Sequence, residues 1–175
     1  APGKPRGAGK LAPDATQEPG GTSHFVIVDA AGNAVSMTTT VESIFGTGRM
    51  VGGFFLNNQL TDFSWSPKNT DGTQAANAVA PGKRPRSSMA PTIILDRDGK
   101  FYAALGSPGG NSILAYNLKA LVAVLDWKMP MQEAFNLPNL IARGDNMASE
   151  PARFAPGVVE ALAAKGVTFN GSGGE

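Results

Sequence analysis

Hydrophobic and polar positions change period near the middle of this chain, and the change divides it into a strand-rich first half and a helix-rich second half. HFVIVD, from His24 to Asp29, is apolar on both faces, which predicts a short strand in a sheet covered on both sides. Ala30 to Asn33 supplies a turn, and AVSMTTTV (34–41), rich in β-branched residues, returns as a second strand. GGFFLNNQ (52–59) predicts another strand, followed by a polar, turn-rich stretch from Ser64 to about Lys83. TIILD (92–96), the turn Arg97 to Gly99 and KFYAALG (100–106) predict a second hairpin. Beyond GSPGG (106–110), Ile113, Leu114, Leu118, Leu121, Val122 and Leu125 recur at helical spacing. A short helix is expected after Pro130. Another is expected from Pro156 to Lys165, with proline in its first turn and Gly166 past its end, before a strand-like Val167 to Asn170. Strands followed by helices predict an α+β fold with helices packed on a sheet.

Composition narrows the function more than the fold. The chain has 175 residues, 42% of them apolar and 17% charged, enough for a buried interior. Residues 1–21 hold nine prolines and glycines with no apolar period, so they are expected to form an exposed linker. The net charge of +1, with only Lys83, Arg84 and Arg86 loosely grouped, disfavours a nucleic-acid partner. With no cysteine and a single histidine, no metal site is expected. No apolar run approaches the roughly 20 residues that a membrane span needs. The chain opens within linker-like sequence and ends at Gly171 to Glu175, which reads as a fragment.

Candidate chemistry begins where the linker meets the first strand, at EPGGTSHFVIVD. A threonine hydroxyl is a poor nucleophile until a base takes its proton. If the chain is cut before Thr22, its own α-amino group becomes that base, because a free α-amine titrates near pH ~7.7–8.0. Gly20 and Gly21 would allow the strained backbone that self-cleavage requires. On spacing alone, Thr22 reads more readily as the first residue of a strand after a linker.

Four blocks sharpen that choice. TSHFVIVDAAGNAVSMTTTVESIFG, FFLNNQLTDF, PRSSMAPTI and GSPGG, in this order, resemble the small-subunit half of the γ-glutamyltransferases, members of the N-terminal-nucleophile hydrolases. The resemblance spans about residues 22–170. It implies an αββα sandwich and a precursor that cuts itself before the threonine into large and small subunits. It also implies the boundaries: residues 1–21 as the end of the large-subunit region, and 22–175 as a small-subunit catalytic domain lacking its C-terminal end.

By the same resemblance Thr22 is the nucleophile for self-processing and for attack on a γ-glutamyl amide, and Thr40 is the threonine that orients and activates it. Gly109 and Gly110 match the glycine pair whose amides form an oxyanion hole. Glycines ahead of a helix N-terminus suit that task, although GSPGG alone also reads as a helix-start turn. Ser87 and Ser88 match a pair that binds the substrate's α-carboxylate region, and on their own read as turn serines beside Pro85. Gln59 and Asp62 match residues that hold the α-ammonium. Glu42, where some relatives carry asparagine, adds a second carboxylate there. His24 is expected to be structural, since the amine already supplies the base. The large-subunit arginine that meets the α-carboxylate has no counterpart in this chain. The stretch from Ser64 to Ala80 is shorter than some relatives' lid loop and holds no tyrosine, which implies a more open cleft.

The implied activity is γ-glutamyl transfer or glutathione hydrolysis through a threonyl ester, with a glutathione-like substrate, water or an amine as acceptor, the large subunit as partner, and no cofactor. A periplasmic or secreted location follows from the resemblance alone. One alternative is an acylase of the same fold that removes a glutaryl side chain from a cephalosporin nucleus. Another is an unprocessed, inactive scaffold subunit.

Overall fold

The computed structural model describes residues 21–143 and 146–169. The linker expected over residues 1–20 and the glycine-rich stretch after Asn170 lie outside them. The described residues fall into two compact units. One comprises residues 21–22 and 40–88, the other 23–39 with 89–143 and 146–169.

Strand β1 (Thr22–Val28) and strand β2 (Ala34–Thr40) form a hairpin. Asp29 closes its turn, its Oδ1 accepting the amides of Ala31 and Asn33 at 2.9 Å each. The strand therefore begins at Thr22, two residues earlier than its apolar run suggests. Cover on both faces is not what the described residues provide. β1 pairs with β2 alone, and Phe25, Val26, Ile27 and Val28 are all exposed. A strand buried on both faces needs a layer on each, and the apolar run reports that need without supplying the layers.

The strand expected over 52–59 is instead a tight hairpin followed by a turn of 3₁₀ helix. β3 (Met50–Val51) pairs with β4 (Phe54–Phe55) in the register Val51 to Phe54 and Met50 to Phe55. The connection is Gly52-Gly53, with φ of 60° and 88°, values that the favoured two-residue turn demands and glycine supplies without strain. Gln59–Asp62 then forms the 3₁₀ turn. From Phe63 to Ser88 the chain has no helix or multi-residue strand, only isolated bridge residues, among them the Lys68 and Gln74 pair. It is nonetheless anchored by buried Phe63, Ala75, Asn77 and Ala78.

In the other unit the predicted hairpin is β5 (Thr92–Leu95) with β6 (Phe101–Leu105), antiparallel and with an irregular register at Ile94/Leu95. Gly110–Ser112 makes a 3₁₀ turn that leads into α1 (Ile113–Leu125). The helix lies where its period placed it, but its buried face is Ile113, Asn117, Ala120 and Ala123, while Leu114 and Leu118 are exposed. Alanine at the contact lets backbones approach closely. Ala123 of α1 and Ala134 of α2 (Met131–Asn136) are both fully buried, as α1 packs on α2 and on β7 (Leu140–Arg143). β7 pairs with β8 (Asn146–Ser149), a hairpin that the apolar pattern did not predict. α3 (Val158–Ala163) follows Gly157, whose φ is 84°, so Pro156 precedes the helix and does not sit in its first turn. Gly166, at φ 82°, ends it, and residues 167–169 form no strand.

Candidate active site

The fold places Thr22 at the first position of β1 and Thr40 at the last position of β2. In an antiparallel hairpin those ends meet. Thr22 Oγ1 donates to Thr40 Oγ1 at 3.3 Å. Thr40 Oγ1 also accepts the Glu42 amide at 2.9 Å and donates to the Gly21 carbonyl at 3.4 Å. One hydroxyl thus uses its single proton and both lone pairs. Its proton points at the carbonyl of the Gly21–Thr22 peptide, the bond a self-cleaving chain would break, and its lone pair receives the hydroxyl that would attack. Thr38 and Thr39, next along the strand, make no such contact with Thr22. Gly21 is under its own constraint: a β-carbon there would overlap the Glu42 carbonyl, so no other residue fits without a backbone shift.

Glu42 continues the network. It is 5% exposed and adopts φ 75°, a left-handed conformation that is uncommon and costly for a non-glycine residue. Its Oε2 accepts Gln59 Nε2 at 3.4 Å, and the same amide nitrogen donates to Asp62 Oδ2. Gln59 and Asp62 lie three apart on one 3₁₀ turn, where side chains at i and i+3 eclipse and share a face. Asp62 is 2% exposed, and its Oδ1 has no hydrogen-bond partner among the described residues. Asp62 thus presents a buried carboxylate oxygen that a donor of ammonium type would satisfy.

Two asparagines that sequence reasoning passed over hold this geometry. Asn58 Oδ1 accepts the Ser43 amide at 2.9 Å, and its Nδ2 donates to Ser43 Oγ at 3.0 Å and Thr61 Oγ1 at 2.9 Å. It thereby clamps the segment carrying Glu42 to the turn carrying Gln59 and Asp62. Asn77, buried, donates through Nδ2 to the Asp62 carbonyl and accepts the Arg86 amide at 3.0 Å, fixing the approach to Ser87 and Ser88. The available signal was a polar amide side chain within short apolar or small-residue runs, as in FLNNQ and AANAVA.

Thr22, Thr40, Glu42, Gln59 and Asp62 therefore form one hydrogen-bonded run. Ser88 is buried in the same unit, whereas Ser87 is exposed. Gly109 and Gly110 belong to the other unit. Both are buried at positive φ, 126° and 50°, and the Gly109 carbonyl accepts the Ser112 amide at 2.9 Å as the chain turns into α1. Among the described residues no group of three His, Asp or Glu side chains is placed to hold a metal, and no helix is long and apolar enough to cross a membrane.

The sequence model of the gamma-glutamyltranspeptidase family matches residues 3–174. The chain belongs to that family. Among curated γ-glutamyltranspeptidase relatives, the glutathione hydrolase proenzyme of Escherichia coli K12 is 42% identical over 166 residues, covering 90% of this chain and 28% of the relative. The glutathione hydrolase proenzyme of Bacillus subtilis 168 is 40% identical over 156 residues, covering 88% of this chain and 24% of the relative. The chain thus spans about a quarter of the length of these relatives. Among solved structures, a mutant γ-glutamyltranspeptidase from Helicobacter pylori matches with a TM-score of 0.74 at 34% identity, covering 85% of this chain and 84% of that one. The α+β fold is accordingly the N-terminal-nucleophile hydrolase fold of γ-glutamyltranspeptidases.

Proposed function

We propose that this chain contributes the small-subunit part of a γ-glutamyl acyltransferase and glutathione hydrolase that cuts itself at Gly21–Thr22. The observation that carries the reading is the pair of buried carboxylates, Glu42 and Asp62, bridged by Gln59 and linked through Thr40 to Thr22. A γ-glutamyl group carries its α-ammonium on a carbon only two methylenes from the γ-carbonyl, so carboxylates linked to a hydroxyl nucleophile suit the recognition this substrate class requires.

In the maturation step, Thr22 Oγ1 attacks the Gly21 carbonyl carbon while the Thr40 hydroxyl donates to the carbonyl oxygen. The Gly21–Thr22 C–N bond breaks, its electron pair takes the proton released by the hydroxyl, and an ester joins Gly21 to Thr22 Oγ1. Water hydrolyses the ester, leaving a Gly21 carboxylate and a free Thr22 amine. In turnover that amine takes the hydroxyl proton as Oγ1 attacks the substrate γ-carbonyl. The amides of Gly109 and Gly110 receive the oxyanion, and the proton passes to the leaving amine as the C–N bond breaks. Water or an acceptor amine then opens the γ-glutamyl ester. Glu42, Gln59 and Asp62 hold the α-ammonium, and Ser87 and Ser88 bind near the α-carboxylate.

The proposal includes the domain boundary at Thr22, a large subunit from the same precursor as partner, and a periplasmic or secreted location. Support for the partner lies in the name proenzyme carried by the E. coli and B. subtilis relatives. The shorter segment from Ser64 to Ala80, without a tyrosine, supports a cleft open to larger acceptors.

Comparing γ-glutamyl-p-nitroanilide with glutaryl-p-nitroanilide tests the reading. A clear preference for the γ-glutamyl compound is expected, because the glutaryl analogue lacks the ammonium and would leave Asp62 buried without a counter-charge. Preference for the glutaryl compound would instead establish a cephalosporin-acylase-like enzyme. A full-length product that never yields a fragment beginning at Thr22 would establish an inactive scaffold subunit.

A further inference from the structure

Two residues along β1 from Thr22 stands the chain's only histidine, and its contacts exceed what a strand residue needs. Thr38 Oγ1 lies 2.9 Å from His24 Nδ1, and Ser36 Oγ lies 3.5 Å from His24 Nε2. Ser36 Oγ in turn donates to the Leu105 carbonyl at 3.3 Å. Because Ser36 spends its one proton on Leu105, the consistent assignment gives Nε2 the imidazole proton. Nδ1 then accepts from Thr38. The bonds run in one direction: Thr38 hydroxyl to Nδ1, Nε2–H to Ser36, and Ser36 hydroxyl to the last carbonyl of β6. Partial burial pushes the imidazole pKa below its usual value, in keeping with a neutral ring in this chain.

The residue after Leu105 is Gly106, the first of GSPGG. A β-carbon at Gly106 would overlap the His24 ring, at Cε1, Nδ1 and Cγ. The ring therefore lies flat against the backbone at the point where β6 releases the loop. That loop then delivers Gly109 at φ 126° and Gly110 at φ 50°, backbone conformations that glycine reaches and residues with a β-carbon rarely adopt. Leu105 behind it is 5% exposed, so this end of the loop is fixed by packing as well as by the Ser36 bond.

We propose that His24 is a positioning residue for the 106–110 loop: its neutral imidazole, held between Thr38 and Ser36, forms the seat on which Gly106 rests and thereby sets the direction of the Gly109 and Gly110 amides. This rests on the reading of those amides as oxyanion donors given above. It assigns His24 no proton transfer to substrate. It also explains why position 106 requires glycine although its φ is not in the left-handed range: the constraint is the ring and not the backbone.

The test is a double-mutant cycle in the full-length, self-processed enzyme, reading kcat and KM for γ-glutamyl-p-nitroanilide together with the unfolding temperature. His24→Ala is expected to lower kcat by about 10–100-fold, the scale of a misdirected oxyanion donor, with KM changed less than threefold. Gly106→Ala, which forces a methyl into the ring, should lower kcat similarly. Because that penalty needs the ring, Gly106→Ala should cost under threefold more when made in the His24→Ala background. Ser36→Ala, a small change unlike the other two, keeps the ring and cuts its tie to Leu105, and should lower kcat about threefold to tenfold with KM unchanged. Costs that simply multiply in the double variant, or a His24→Ala enzyme within twofold of the parent kcat, overturn the proposal. A rise in KM without loss of kcat would also overturn it, since that would place His24 in substrate binding. An unsubstituted enzyme with no γ-glutamyl turnover would refute the parent reading. The seat would then stand or fall on whether the two unfolding-temperature losses are non-additive.

Discussion

Thr40 Oγ1 accepts the Thr22 hydroxyl at 3.3 Å while its own proton is directed to the carbonyl that precedes Thr22, 3.4 Å away. The attacking oxygen and the oxygen that must accept charge are thus served by one side chain. Both functions depend on the hydroxyl and neither on the methyl. Thr40→Ala is therefore expected to slow maturation and γ-glutamyl transfer by about 10²–10⁴-fold each, the usual range for lost proton management. Thr40→Ser should retain most of both. The appearance of the fragment beginning at Thr22, followed by intact mass, measures the first. Thr22→Ala should abolish both, because it removes the hydroxyl that attacks in each step.

Gly21 is expected to be as demanding as the threonines although it carries no chemistry. A methyl group there would press on the Glu42 carbonyl, and Glu42 is already held at φ 75°. The adjustment must pass to the Glu42 amide and so to Thr40, whose oxygen that amide donates to at 2.9 Å. Gly21→Ala should retard self-cleavage at least about tenfold, on the scale of about 1–3 kcal/mol of backbone strain. Enzyme that does mature has separated Gly21 from Thr22, so its kcat should lie close to that of the parent. A variant that matures normally would show that the loop around Glu42 yields freely.

Asp62 separates substrate recognition from chemistry. Its carboxylate is buried, bonded to Gln59 through Oδ2 only, with Oδ1 unpartnered among the described residues. Removing a charge-assisted hydrogen bond to an ammonium costs about 1.5–3 kcal/mol, so Asp62→Asn should lower kcat/KM for γ-glutamyl-p-nitroanilide by about 10–100-fold. Activity on the glutaryl analogue should change little, because that molecule brings no ammonium. Maturation should proceed, since the Gly21–Thr22 bond makes no use of Asp62. The ratio of the two activities is the decisive readout.

The part of this site that sequence could reveal is the part set by local pattern. TSHFVIVD and AVSMTTT announce two strands joined by a short turn, and that topology alone brings Thr22 to Thr40. The Gln59 and Asp62 pairing needed the 3₁₀ turn, which an apolar-run reading of GGFFLNNQ obscured. Gly52-Gly53 was the dipeptide that should have been read as a hairpin turn. The roles of Asn58 and Asn77 were not legible, because each bridges segments whose proximity depends on the folded loop and not on any period. The β7–β8 hairpin was missed for a similar reason, its runs LIAR and NMAS being too short and mixed to alternate clearly. In α1 the period gave the helix but not its buried face. Small alanines won the contact over larger leucines because α2 packs close.

Glu150 provides a check on the second unit through its acid response. Burial alone would raise its carboxyl pKa, but the Asn139 amide at 2.8 Å and the Arg153 guanidinium at 2.8 and 2.9 Å outweigh that, aided by the field of Lys119, and hold it below the ordinary glutamate value. The sign follows from linkage. Above the unfolded-state value both states are ionised, and the stabilisation is fully present. As pH falls between the unfolded and folded values, the unfolded chain takes up a proton first and the stabilisation erodes. Below the folded value it is gone. Glu150→Gln should therefore lower the urea midpoint of the full-length enzyme at pH ~7, and its deficit relative to the parent should shrink steadily as pH drops towards ~3. Arg153 is 46% exposed, so the effect should be modest and weakened by salt. A deficit that stayed constant across that pH range would mean that Glu150 acts through packing and not through its charge.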